Sequence, residues 1–327
     1  MNNISSDFAS LGPDQIIDAV ETAIGQRMTG FTSPLPSYIN RVYELQTMAG
    51  ERLIAKFYRP GRWLKIAIEE EHEFMQDCSL AEVPVVLPMK LKNGSTIEEV
   101  DGISFAVFPK RLGREFEIIK DDDWQRIGTS IARIHNSGQS TDASNRVHLH
   151  PLQSTKNDVH QLIEGGFLSP QYKADFKKVC DQIIEIATEL FEDTESIRIH
   201  GDCHSGNILH RPEDGLVIID FDDMMMGPPI QDLWILLPEH ANKCQLELDL
   251  MIEGYEMFRS FDRRTIKLIE PLRAMRIIYF LAWCSRQAND LHFKNNFPEW
   301  GTESFWSIEI TGLTNQLHVI IESLEED

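Results

Sequence analysis

The sequence predicts an α+β protein with two lobes, a strand-rich amino-terminal part and a helix-rich carboxy-terminal part that meet near the run "VFPK" at residues 107–110. Three observations carry that expectation. Most of the β-prone runs, "RVYEL", "RLIAKFY" and "ISFAVFP", end by Pro109. From Asp121 onward apolar residues recur at helical spacing through most of the chain. Finally, 327 residues that are 42% hydrophobic and 25% charged suffice for two cores of ordinary globular composition. The lobes are set at 1–108 and 109–327.

The elements follow in order. "PDQIIDAVETAIG" spaces Ile16, Ile17, Val20 and Ile24 as one helical face, with Pro13 near its start and Gly25 at its end. "RVYEL" and "RLIAKFY" flank "QTMAGE", whose Ala49-Gly50 marks a turn, so a hairpin is expected. The run from Trp63, "WLKIAIEEEHEFMQDC", is rich in helix formers, with an apolar side at Leu64, Ala67, Phe74 and Met75. "ISFAVFP" reads as a buried strand that stops at Pro109. "DDDWQRIGTSIARIHNSG" is the clearest helix, with Trp124, Ile127, Ile131 and Ile134 on one face, acidic residues in its first turn and Gly138 past its end. Further helices are expected at about 157–191, 231–237, 243–259, 264–290 and 302–324.

Charge and cysteine content exclude several function classes. Asp and Glu number 52 against 31 Lys and Arg, a net charge of −21, which disfavours nucleic acid and anionic membrane as partners. A basic protein or a small cation would be favoured by such a field. Five scattered cysteines without CxxC spacing give neither a disulfide framework nor a thiolate metal site. The start "MNNISSDFASLG" lacks a basic region followed by an apolar run, and no apolar run approaches the roughly 20 residues of a membrane span. A reducing, cytoplasmic setting and a monomer are expected.

The chemistry concentrates in "HGDCHSGNIL", residues 200–209, and "IDFDD", residues 219–223. Gly201 and Gly206 let the first stretch turn sharply, "NIL" starts a strand, "RPEDG" is a hairpin turn, and "LVIID" is the return strand ending in Asp220. The hairpin holds the loop before its first strand close to the carboxylates after its second. Asp202 and Asn207 can then face a point that Asp220 closes. Phosphoryl transfer to a hydroxyl needs such a set: a carboxylate to accept the proton, an amide oxygen and a second carboxylate to hold Mg2+ on the phosphates of ATP. The pattern H-R-D-x-x-x-x-N followed by D-F-G is met as His200, Gly201, Asp202, Asn207, then Asp220, Phe221 and Asp222. Asp and Asn in a turn often bond only their own backbone. Lys56, in an otherwise apolar strand, argues for more, because burying an unpaired ammonium is costly.

On these residues, with "GPPIQDLW" downstream, the chain resembles the aminoglycoside phosphotransferase and choline kinase superfamily, whose fold is protein-kinase-like. Across nearly its whole length, in "SYINRVYEL", "AKFYRP", "EEHEF", "FAVFP" and "IEPLRAMRIIYFLAW", it is similar to bacterial ATP-dependent Ser/Thr protein kinases of a stress response within that superfamily. The resemblance implies a small, mostly antiparallel sheet lobe, a large helical lobe and a cleft between them. It further implies Asp202 as catalytic base, Asp220 as a catalytic carboxylate and, with Asn207, a magnesium ligand, and Lys56 on the α and β phosphates. The glutamate orienting Lys56 is expected to be Glu70, with Glu71 next. In place of a glycine-rich phosphate loop stands "LPSYINRVY", where Ser37 is the expected ATP contact and Asn40 braces the turn; adenine is expected to bond backbone groups from Phe108 to Arg111.

The DFG glycine is replaced by Asp222 and no A-P-E segment follows, so regulation by an activation loop is not expected. Asp232 is expected to cap a helix or brace the catalytic loop, His200 to hold that loop, and His135 to pack or cap. Asp222 and Asp223 are divided between supporting the site and solvated charge. Arg273 and Arg276 offer positive charge to the site or a substrate. The leading expectation is an ATP- and Mg2+-dependent kinase acting on Ser/Thr of protein. The alternatives are a small-molecule kinase of choline, homoserine or aminoglycoside type, a noncatalytic scaffold, and a metallohydrolase suggested by "GDCHSGN" but lacking the G-N-H motif.

Overall fold

A computed structural model of the chain describes residues 8, 11–37, 39–288 and 290–325. The amino-terminal stretch read for a targeting signal lies mostly outside them. The fold is α+β. It forms two compact units that interleave along the sequence: residues up to Glu117 with Asn136–Arg146 and Asp202–Met224, and Ile118–His135 with Val147–Gly201 and the chain from Met225 onward. The expected division after residue 108 is a single cut, whereas here the segment carrying Asp202, Asn207 and Asp220 groups with the strand-rich unit.

The strand-rich unit is built on a five-stranded antiparallel sheet. Its strands are β1 (Met28–Leu35), β2 (Arg41–Thr47), β3 (Arg52–Phe57), β4 (Glu98–Val100) and β5 (Ile103–Pro109), in the order β1-β2-β3-β5-β4. The hairpin expected around Gly50 joins β2 and β3. β1 was not legible as a strand; it carries Gly30 and Pro34, and Pro is tolerated because β1 is an edge. Helix α1 (Pro13–Ile24) buries Ile16, Val20 and Ala23 against Leu53, Ala55, Phe57, Phe105 and Val107. Since side chains alternate along a strand, Ile54 and Lys56 belong to the opposite face of β3. There Lys56 is paired in register with Val42 and Ala106, and Ile54 with Glu44 and Phe108.

Helix α2 (Lys65–Leu80) buries Ala67, Ile68, Glu71, His72, Phe74, Met75 and Cys78. Leu64, expected on its apolar side, is exposed at its amino end. The hairpin Ile208–Arg211 and Gly215–Ile218 belongs to a three-stranded sheet with Arg114–Glu115. Phe74 of α2 meets Phe221, just past that hairpin, edge to face at 5.6 Å.

In the helical unit, helices Lys156–Glu164, Pro170–Phe191, Ile269–Gln287 and Glu303–Glu325 share a core that includes Leu162, Phe176, Ile183, Ile278, Leu281, Trp306 and Leu313. The span expected as one helix over 157–191 is broken by Gly165 and Gly166, the latter at φ 74°. Helix α3 (Asp121–Gly138) starts in this unit and packs its Gly128 on the backbone of helix Gln245–Glu256.

Candidate active site

The strand-rich unit gathers Lys56, Glu71, Asp202, Asn207, Asp220 and Asp222. Lys56 is 7% exposed, and its Nζ is 2.9 Å from Asp220 Oδ1, 3.3 Å from Asp222 Oδ1 and 3.6 Å from Glu71 Oε1. Burial by itself would discharge the lysine, but Asp220, Asp222 and Glu71 outweigh it and hold its pKa well above the ordinary value. Glu71 is less secure as an anion. Burial pushes its carboxyl up to about 7 against the pull of Lys56, with Asp222 adding to the rise. The lysine's charge therefore rests first on Asp220.

The expected partner Glu70 is corrected by this geometry. Glu70 faces another way and accepts from the Asn145 backbone amide at 3.0 Å and from Asn145 Nδ2 at 2.7 Å. Glu71 is on the buried face of α2, within 3.5 Å of the Tyr58 hydroxyl and 3.8 Å of Arg146.

The hairpin sets the other acids. Ile208 pairs with Ile218, and the Ile219 amide donates to the Asn207 carbonyl at 3.0 Å, so the residues entering and leaving the hairpin stand side by side. Asp220 then takes a left-handed conformation, φ 61° and ψ 67°, which is unfavourable for a residue with a Cβ and typical of strained functional positions. The bend turns its carboxylate outward, leaving the side chain 55% exposed despite the contact with Lys56. The Asp202 carbonyl accepts from His204 N and from Asn207 Nδ2, both at 2.9 Å, which closes the loop around its own backbone. His204 caps the short turn Ser205–Asn207 through Nδ1, and its Nε2 is 3.6 Å from the Asp202 carboxylate.

Within the helical unit the chain leading to Asp202 is pinned by Asp232. Its Oδ2 accepts from His200 N at 2.7 Å and from His135 Nε2 at 3.1 Å, and its Oδ1 from Gly201 N at 2.8 Å. Burial raises this carboxyl, but the His135 hydrogen bond, the His200 and His135 charges and the Gly201 amide bring it below its usual range. Asp232 thus braces the loop, and His135 is a bridge, since its Nδ1 meets the Tyr255 hydroxyl at 2.9 Å. Arg273 is spent on Glu270 and the Glu239 carbonyl in the same unit.

Ser37 lies half-buried in the connection from β1 to β2. Asn40, buried beside it in sequence, accepts from the Arg59 amide at 3.1 Å and so ties that connection to the end of β3. Phe108 lines the same face of the sheet as Ile54, and Arg111 is exposed beyond the end of β5. For a divalent cation the donors fit. Asn207 has committed its nitrogen to the Asp202 carbonyl, which leaves Oδ1 for a metal, and Asp220 adds an exposed carboxylate. Two hard oxygens suit Mg2+, which completes its shell with phosphate oxygens and water. Among the described residues no group of three or more His, Cys, Asp or Glu gathers as a metal site.

Residues 32–269, which include every side chain just described from Ser37 to Asp232, match the model of the phosphotransferase enzyme family. The chain belongs to that family. It is 40% identical to stress response kinase A of Escherichia coli strain K12 over 324 residues, covering 98% of this chain and 97% of the relative. It is 38% identical, over the same shares, to the serine/threonine protein kinase RdoA of Salmonella typhimurium. Among solved structures it resembles amicoumacin kinase hAmiN in complex with AMP-PNP, Ca2+ and Ami, with a TM-score of 0.74, 17% identity and 94% of each chain covered. The fold is thereby shared with that amicoumacin kinase.

Two members of this candidate site were not legible. Arg62, in the loop after β3, reaches Asp222 Oδ2 and Asp223 Oδ1, each at 2.5 Å. Arg146, 4% exposed, donates to the carbonyls of Met224 at 2.9 Å and Ala67 at 3.3 Å and to that of Asp222, and stacks 3.9 Å from the Trp63 ring. A cation following Pro60-Gly61 was the only signal for Arg62. Arg146 lies in a loop with no periodic context.

Proposed function

We propose that this chain transfers the γ phosphoryl group of ATP, with Mg2+, to Ser or Thr hydroxyls of protein substrates, in a bacterial stress response. The observation that carries the reading is the 2.9 Å pair between Lys56 and Asp220, 164 residues apart, next to Asp202 and Asn207 in one compact unit. The protein acceptor is supported by the serine/threonine kinase name of a relative 38% identical over 98% of this chain.

In this reading Asp202 orients the acceptor hydroxyl and takes its proton as the oxygen–phosphorus bond forms, while the bond to the ADP oxygen breaks. Lys56, already charged, draws on the α and β phosphates, and its carboxylate partners fix its direction before nucleotide arrives. Glu71 is the counter-ion that keeps the ammonium on the sheet side when Asp220 turns to a metal. Asn207 and Asp220 would hold the divalent cation, which, when bound, neutralises charge on the phosphates. Ser37 offers a hydroxyl and an amide to phosphate, and Phe108 to Arg111 offer backbone groups to adenine. Most of the rate comes from positioning and charge compensation, since little covalent work is asked of the protein.

Radiolabelled ATP with a panel of protein and small-alcohol acceptors tests both halves of the proposal. Label is expected on protein Ser or Thr, with turnover reduced by at least about 100-fold in Asp202→Ala. Equal turnover in that variant would sink the base assignment and favour a scaffold. Label on small alcohols alone would keep the kinase and replace the acceptor.

A further inference from the structure

Three carboxylates lie within four residues of "IDFDD", and their surroundings differ. The Asp220 side chain is 55% exposed, whereas those of Asp222 and Asp223 are 6% and 22% exposed. Arg62 stands over the latter two. Its terminal nitrogens reach one oxygen of each at 2.5 Å, a planar cation laid across two carboxylates. Asp222 directs its other oxygen to Lys56 at 3.3 Å, and Arg146 holds the Asp222 carbonyl. The turn Phe221–Asp223 that follows the strained Asp220 is therefore fastened by an arginine from each of two separate loops.

We propose that Arg62 is a positioning residue for the nucleotide half of the site, tying down Asp222 and Asp223 so that Asp220 alone of the run is offered to a divalent cation. The inference rests on the kinase reading above and assigns the metal preference of that site to a residue outside the motif. Without Arg62, two adjacent like charges have two outlets. They can repel and loosen the turn that sets Asp220, or swing outward and compete for the cation, and either displaces the Asp222 oxygen that stands 3.3 Å from Lys56. The conservative Arg62→Lys change keeps the charge but loses the planar fork whose two nitrogens meet the two carboxylates separately.

The test uses the full chain and a non-hydrolysable ATP analogue, with binding measured by calorimetry over a range of Mg2+ concentrations. Arg62→Ala is expected to raise the half-saturating Mg2+ concentration by about tenfold, the usual effect of losing a residue that orients a metal ligand. It should leave the acceptor KM unchanged, and amides 221–224 of the nucleotide-free variant should exchange hydrogen faster. Arg62→Lys should fall between. The added substitution Asp223→Asn should restore most of the Mg2+ response of Arg62→Ala, because it removes the stranded charge. An unchanged Mg2+ response, or a loss that Asp223→Asn does not relieve, would overturn the proposal. If the alanine variant does not fold, a wild-type Mg2+ response in Arg62→Lys would do the same. Absence of Mg2+-dependent nucleotide binding in the unaltered chain would overturn the kinase reading first, and this inference with it.

Discussion

His72 shows what the Lys56 cluster demands of its neighbours. Its Nδ1 is 2.7 Å from Thr96 Oγ1 and its Nε2 3.1 Å from the Tyr58 hydroxyl, so both ring nitrogens are used, and it is only 5% exposed. Burial, with Lys56 and Arg146 nearby, lowers its pKa to about 3. The unfolded chain binds a proton at this ring below about 6.5, and the folded chain does not until about 3. Stability is thus unaffected by this residue above 6.5 and is lost progressively as pH falls toward 3. Between pH 7.5 and 5 the loss due to this ring should be about 2 kcal/mol, read from urea midpoints as the change in the difference between the chain and His72→Gln, since the raised Glu71 carboxyl stabilises both as pH falls over the same range. The variant should also be less stable at pH 7.5. An identical slope in the variant would reject the account. Glu71, one residue earlier, was legible in principle. It is four residues from Ala67, three from Phe74 and four from Met75, in step with the apolar side read from sequence, whereas Glu70 is turned away by about 100°. A carboxylate in step with an apolar stripe marks a buried acid, and Glu71 is the one that stands 3.6 Å from Lys56. Arg62 and Arg146 had no such stripe to fall on, because their positions follow from tertiary contacts of loops.

At the level of elements, periodicity found what is long and one-sided. Helices α1, α2 and α3 and the β2–β3 hairpin are set by local pattern and turn residues, and they stand where the pattern put them. β1 and β4 escaped because an edge strand carrying Gly30 and Pro34, and a three-residue strand, have little pattern to show. The Asp101-Gly102 pair between β4 and β5, both at positive φ, is a two-residue hairpin signal that could have found β4. Helix contacts add a constraint that pattern does not carry. A Cβ on Gly128 of α3 would stand 1.9 Å from the Met251 carbonyl oxygen, and one on Gly254 would stand 2.0 Å from that of Gln125, so the two helices touch backbone to backbone. Neither backbone can yield without moving its helix. Gly128→Ala and Gly254→Ala should each cost at least about 2 kcal/mol in urea unfolding. Gly312→Ala, where nothing lies within 4 Å on an exposed helix face, should instead stabilise by about 1 kcal/mol. Equal effects at the three sites would reject the close crossing.

For the whole molecule the governing quantity is charge. With 52 acidic and 31 basic residues the chain carries −21, and Lys56, Arg62 and Arg146 are each already matched to carboxylates or carbonyls within it. An approaching solute therefore meets a net negative field, which treats the two proposed substrates oppositely. A basic acceptor is drawn in, and a nucleotide, itself anionic, is held off until the local cations take over. Both effects act at long range and shrink as the Debye length falls from about 10 Å at 0.1 M salt to about 3 Å at 1 M. For acceptor peptides matched except for flanking charge, kcat/KM at low salt should favour the basic peptide by about tenfold, and the advantage should fade as NaCl is raised. Over the same range the KM for ATP, at saturating Mg2+, should stay level or improve. Opposite salt slopes for acceptor and nucleotide separate a global field from a local contact, which would weaken both together. A preference for basic acceptors that survives 1 M NaCl would place recognition in a specific pocket, and an acidic preference would refute the steering argument.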